Sequence, residues 1–224
     1  MDVYEAVHTR QSIRKFTDRP VPPEVLHRVL TAAASTPSGS NLQPWQVYVV
    51  SGEPLAELKE RVAKRIAAGD SGDDREFAIY PPELRSPYLE RLAALGDSRY
   101  GSLGIARDDV AGRARVRAEN WNCFGARTAL FCYLDRDMPA PRWSDVGSYL
   151  QTVMLLLRAE GLHSCAQEAW AEYNRSVAEV IEPPPERMLF CGVAIGFADP
   201  TVVHPRVRRP PLSEHVTFLG YQPD

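Results

Sequence analysis

The sequence is poor in the features that announce chemistry at a glance. Its four cysteines, Cys123, Cys132, Cys165 and Cys191, form no C-x-x-C pair and lie near no histidine cluster. Structural zinc and thiol-redox spacings are thereby excluded, and reduced core cysteines in a cytoplasmic protein are expected. The longest uncharged apolar stretch, Val146 to Leu157, falls well short of the roughly 20 residues needed to span a bilayer. The opening residues, MDVYEAVHTR, lack the apolar segment of a secretory signal. No G-x-G-x-x-G, G-x-x-x-x-G-K-[ST], G-x-S-x-G or H-E-x-x-H occurs, so a Rossmann site, a P-loop, a serine-hydrolase elbow and a zincin site are not expected. A formal net charge of −3 argues against a nucleic-acid binder, and no metal site is expected either.

What remains is an ordinary globular composition: 224 residues, 44% hydrophobic and 25% charged. A chain of this size can bury about 70% of its extended surface, enough for one sizeable core, and residues 1–224 read as a single domain. Asp2 and Glu5 frame the start of a short helix ending near Thr9. A second helix follows Pro22-Pro23, carrying Leu26, Val29, Leu30 and Ala33 on one face. Trp45–Val50 reads as a strand, and residues 53–68 as an amphipathic helix. From Gly69 to about Arg117 the pattern degrades into polar loop (GDSGDD), breaker (YPPEL) and charged sequence with scattered aromatics. This segment reads as an excursion of loops and one or two helices. Ala129–Leu134 is a second strand, Ser144 to Glu160 a helix capped by Ser144 and closed by Gly161, and Ser176–Ile181 a shorter helix. A buried strand starts at Met188, and the tail from Pro200 carries five prolines and should lie extended against the body. Helices outnumber strands without regular alternation, which points to an α+β class.

Three polar clusters sit at loops. Arg10-Gln11-Ser12-Ile13-Arg14 sets two guanidinium groups and a hydroxyl within five residues, a combination suited to a phosphate. Pro37-Ser38-Gly39-Ser40-Asn41 is a rigid turn that can offer polar groups to a planar heterocycle. Arg206, Arg208 and Arg209 place three cations within four residues of an acidic protein. Each alone also reads as a solvated loop. Together they match a phosphorylated, ring-bearing ligand such as flavin mononucleotide (FMN).

The succession RQSIRKF, PVPPEVL, AAASTPSGSNLQPW, GLHSCAQEAW, GVAIGF and RRPPLSE resembles the nitroreductase family of FMN-dependent oxidoreductases. The resemblance spans nearly the whole chain outside about 69–118. It implies a three-layer fold, with a central mixed or antiparallel sheet flanked by helices, in an intertwined homodimer with FMN at the subunit interface. Residues 69–118 would be a lid and 200–224 a C-terminal arm. It further implies that Arg10, Gln11, Ser12 and Arg14 meet the phosphate and ribityl end, joined by Arg209 with Arg206 or Arg208. Pro37, Ser38, Gly39 and Asn41 would reach the ring from the partner subunit, Asn120 or Asn122 the pyrimidine edge, and Gln167, Glu168 and Ala169 the reactive N5 edge. The tail carries Val207-Arg208-Arg209 where many members have Lys-x-Arg, and Ala169 stands where many have Gly.

The implied activity takes hydride from NADPH or NADH and reduces a small aromatic acceptor, nitroaromatic or quinone, by a ping-pong mechanism with no indispensable acid–base side chain. Tyr80, Tyr88, Tyr100, Trp121 and Phe124 are candidate pocket aromatics. The rival readings are a flavin-storage protein without turnover, a reductive dehalogenase and a flavin-destroying enzyme of the same fold. Deiodinase-like members grip their substrate with a Glu, Tyr and Lys of the lid, whereas residues 69–118 here have Glu76 and Tyr80 and no lysine.

Overall fold

A computed structural model describes residues 1–220. Seven α-helices and four strands are found among them: α1 (Val3–Thr9), α2 (Pro23–Ala33), β1 (Gln46–Ser51), α3 (Gly52–Ala67), α4 (Tyr88–Gly101), α5 (Val110–Ala118), β2 (Thr128–Asp135), α6 (Ala140–Ala159), β3 (His163–Gln167), α7 (Asn174–Ile181) and β4 (Arg187–Gly196). The sheet order is β1-β2-β4-β3, and every pairing is antiparallel.

Strand β2 explains the layering. Its side chains alternate across the sheet, and it is buried on both faces. Ala129, Phe131 and Tyr133 pack with Leu55, Leu58 and Val62 of α3 and Val177 of α7. Leu130, Cys132 and Leu134 pack on the other face with Val29 and Ala33 of α2 and Val146, Val153 and Leu157 of α6. All four cysteines are free and buried, as their spacing implied. No described helix is long and apolar enough to cross a membrane, and no described cluster of side chains has the makings of a metal site.

Two boundaries differ from the sequence reading. Helix α6 starts at Ala140, ahead of the expected Ser144, because Pro141 occupies a first-turn position where no backbone donor is needed. Ser144 lies inside the helix, its hydroxyl donating to the Pro141 carbonyl at 2.6 Å. Strand β3 had no counterpart in the periodicity. The 69–118 stretch does hold two helices, α4 and α5. Beyond Pro200 the described arm forms only a single 3₁₀ turn, Leu212–Glu214.

Two contacts fix the region around β3. The free edge of β3 is covered by the extended segment after α1: Ser12 bridges Ser164, and the Ile13 amide donates to the Ser164 carbonyl at 3.1 Å. Closing the edge in this way prevents a stray strand from pairing there. Just after β3, the 3₁₀ turn Glu168–Tyr173 is pinned by Trp170, which is fully buried and meets Phe131 edge-on at 5.3 Å. Gly192 of β4 makes this possible, since a Cβ there would lie 2.4 Å from the Trp170 ring.

Candidate functional site

Along the run from Arg10 to Phe16, Ile13 and Phe16 are buried in the core, while Ser12 and Arg14 line two adjoining clefts. One cleft, of about 530 Å³, is lined by Arg10, Gln11, Ser12 and Arg14 together with Gln151 of α6 and Arg206 and Arg209 of the arm. Its lining holds four guanidinium groups and no carboxylate. Two clusters almost 200 residues apart in the chain therefore converge. Arg206 secures the arm by donating to the His8 carbonyl at 2.5 Å. Arg208 is not part of this lining.

The second cleft, of about 260 Å³, shares Ser12, Arg14 and Pro205 with the first. Leu103, Val116, Phe124 and Val203 give it apolar walls, and Arg14, Lys15, Arg99 and His204 line it with Glu119 as the one carboxylate. The tight turn Cys123–Gly125 puts Phe124 here with φ at +54°, a conformation held by the Phe16 amide donating to the Phe124 carbonyl at 3.1 Å.

Beneath both clefts lies β3. Cys165 is buried, which pushes its thiol up, against the pull of Arg14, Arg99 and Arg10 and of a hydrogen bond with Ser12. Burial pushes the Cys123 thiol up as well, to about 12, and none of these thiols has the thiolate character of a nucleophile. Ala166 and Glu168 are exposed, whereas Cys165 and Gln167 face inward. Glu168 stays open to solvent, yet enough protein crowds its carboxyl to raise it above the usual carboxylate range. The Gln167 amide nitrogen donates to the Asn120 carbonyl at 2.5 Å, and its buried Oε1 has no hydrogen-bond partner among the described residues. Trp121 donates to the Ala169 carbonyl at 3.1 Å and is nearly fully buried.

The other candidate residues fall into place around this region. Asn120 adjoins Gln167, whereas Asn122 bonds Glu119 at 3.2 Å and lines a separate groove beside Lys59 and Glu60 of α3. The Pro37–Asn41 turn lines neither cleft of its own chain. It is seated on the start of α6, where the Gly39 amide donates to Asp145 at 3.2 Å and Arg142 donates to the Gly39 carbonyl at 2.8 Å. Ser40, Asn41 and Gln43 all take positive φ there, a conformation favoured chiefly by Gly and Asn. Tyr80 and Tyr88 are exposed. Tyr100 carries the Arg113 guanidinium 4.0 Å above its ring, and Glu76 is committed to an ion pair with Arg136 at 2.6 Å. Phe124 is therefore the one candidate aromatic found in the cleft lining. Sequence reasoning missed Arg99 and His204, and it did not single out Lys15 although this residue lies in the RQSIRKF run.

The family model described as the nitroreductase family matches residues 7–197. The chain belongs to the nitroreductase family. Curated relatives include a 4-nitrobenzoate reductase of Pseudomonas putida, 32% identical over 222 residues covering 98% of this chain and 96% of the relative. Another is the 4-nitrobenzoate reductase of Nocardioides sp. (strain LMS-CY), 32% identical over 219 residues, 95% of this chain and 88% of the relative. Among solved nitroreductases, the FMN and NADPH-dependent NfnB from Sphigopyxis sp. strain HMH superposes with a TM-score of 0.94 at 43% identity, covering 99% of this chain and all of the other. The FMN-dependent NfnB from Mycobacterium smegmatis, solved in complex with NADPH, gives a TM-score of 0.90 at 30% identity, over 96% and 97% of the two chains. The nitroreductase fold of this chain, three layers around an antiparallel sheet, is thus shared with enzymes that use FMN and NADPH.

Proposed function

We infer that this protein is an FMN-dependent oxidoreductase that takes hydride from NAD(P)H and reduces nitroaromatic acceptors, with quinones as a second acceptor class. The observation that carries the reading is the convergence of Arg10, Ser12, Arg14, Arg206 and Arg209 on one cleft without a carboxylate. Its volume, about 530 Å³, lies within the range of roughly 300–1,000 Å³ expected of a cofactor site. The donor set fits FMN. Guanidinium groups and a hydroxyl suit a phosphate, and the buried, unpartnered Gln167 Oε1 is an acceptor that a ring N–H can complete. When bound, FMN supplies the hydride chemistry by which a nitro group is taken through nitroso to hydroxylamine.

The chain's own residues bind and orient. Arg10, Gln11, Ser12, Arg14, Arg206 and Arg209 hold the phosphate and ribityl end, and Gln167, Glu168 and Ala169 border the ring. No side chain is required to carry a proton.

The Pro37–Asn41 turn acts across a homodimer interface. Support comes from surface area: the single chain exposes 13,534 Å², about 3,000 Å² more than the roughly 10,000 Å² of a compact monomer of 25.0 kDa. That excess is the size of an obligate interface. Val3, Tyr4 and Val7 on α1 and Phe218 and Leu219 on the arm are among the large apolar side chains left exposed. The reduced cysteines favour the cytoplasm as its place of work.

The test is the visible spectrum of the purified protein under nitrogen, before and after NADPH. Flavin bands that bleach with NADPH and recover with nitrobenzene are expected. A protein that neither carries nor takes up FMN refutes the assignment. One that binds FMN without bleaching is a storage protein instead.

A further inference from the structure

Arg99 enters the smaller cleft from α4, an element of the 69–118 excursion that the phosphate site does not need. The residue is half-buried, and among the described residues its guanidinium has one hydrogen bond, a long one of 3.4 Å to the Val116 carbonyl. Burial and the charge of Arg14, which lines the same cleft, both disfavour its cationic form. Lys15 lines the same cleft. Glu119, the one carboxylate of this lining, accepts from Asn122 at 3.2 Å, so cations outnumber carboxylates in an apolar-walled cavity, and an incoming anion offsets that imbalance. The phosphate group of the cofactor does not supply this anion, because Arg10, Arg206 and Arg209 stand in the neighbouring cleft, on the far side of Arg14. In the same lining as Arg99, Leu103, Val116, Phe124 and Val203 offer apolar surface suited to a ring.

We propose that Arg99 is a specificity-determining residue that reads a negative charge on the acceptor, so that the preferred acceptors are aromatic nitro compounds bearing a carboxylate. The inference rests on the nitroreductase reading above and narrows its substrate class. The same anion chemistry has two other sources, the phosphates of NADPH and the flavin itself, and the experiment separates them.

The FMN-loaded protein and its R99M and R99K variants are assayed with 4-nitrobenzoate and with its neutral methyl ester at saturating NADPH. The KM for NADPH and the dissociation constant of FMN are measured alongside. In R99M, kcat/KM for 4-nitrobenzoate should fall about 10- to 100-fold, the loss of a charge-assisted hydrogen bond, mainly through KM. The ester should change less than about threefold, and R99K should fall in between. Binding of benzoate to the oxidised protein, followed by tryptophan fluorescence without NADPH, should weaken by a similar factor. Parallel losses on both acceptors overturn the proposal and make Arg99 a packing residue of the lid. A loss confined to the KM for NADPH, or to FMN retention, overturns it in favour of the donor or the cofactor, and unchanged kinetics overturn it outright. If wild-type protein reduces neither compound, the nitroreductase reading itself fails, while benzoate binding still reports on Arg99.

Discussion

Single residues in this site differ in what their loss should do. Arg10 faces a cleft with no competing carboxylate, so Arg10→Ala removes a charge-assisted contact to the cofactor phosphate. A loss of about 1.5–3 kcal/mol of FMN affinity is expected, roughly ten- to a hundredfold in Kd. Flavin retained through dialysis as in the wild type would contradict that role. Cys165 lies equally close to the arginines, but burial raises its thiol. Cys165→Ser should leave NADPH-dependent turnover within about threefold, and abolished turnover with FMN still bound would reveal a thiol role. The contrast shows what the sequence makes legible. Arg10, Ser12 and Arg14 stand out because like-charged residues and a hydroxyl are packed into five positions. Arg99 does not stand out, since one arginine in a charge-rich helix has no local signal, and only the fold brings it into a cleft beside Arg14 and Lys15.

At the scale of elements, the 69–118 excursion is tied down at both stems by one carboxylate. Arg75, near its start, and Arg117, at its end, both donate to Glu172, the latter at 2.6 and 2.7 Å. The Asp73 amide donates to the Glu172 carbonyl at 2.6 Å, and a Cβ on Gly72 would meet that carbonyl at 2.5 Å. Glu172 belongs to the 3₁₀ turn that begins with Glu168, so the roots of the excursion and the turn after β3 share one anchor. Glu172→Gln should cost about 1–3 kcal/mol in thermal unfolding and hasten proteolytic cleavage within 77–110. It should raise the acceptor KM several-fold while NADPH still bleaches the flavin. Cleavage at the wild-type rate would remove the clasp from the account. Helices α2, α3 and α6 and the buried strands β2 and β4 were readable from periodicity, because each packs a continuous apolar face; α4 buries no residue and gave no such pattern. Strand β3 was not, being five residues long with a pattern set by its neighbours rather than by its own alternation. The start of α6 was hidden by Pro139 and Pro141, which read as breakers yet suit a helix's first turn.

For the whole molecule, one cleft serving donor and acceptor in turn should give parallel double-reciprocal plots when NADPH and a nitroaromatic are varied, and intersecting lines would reject alternation. Sedimentation equilibrium should report a dimer, the state proposed above from the excess surface of the single chain. The arm offers a different lesson. Arg206 and Arg209 meet Arg10 and Arg14 with no carboxylate in the cleft lining to neutralise them, so like charges press the two ends of the chain apart until an anion arrives. The cofactor is then a rivet as much as a reagent. Free FMN at a hundred times its dissociation constant would add about 2.7 kcal/mol to folding stability, a large part of what a domain has in all. A cell short of flavin would therefore hold fewer copies of this protein, cleared as unfolded chain, and would lose the reductase sooner than its rate of synthesis alone would dictate.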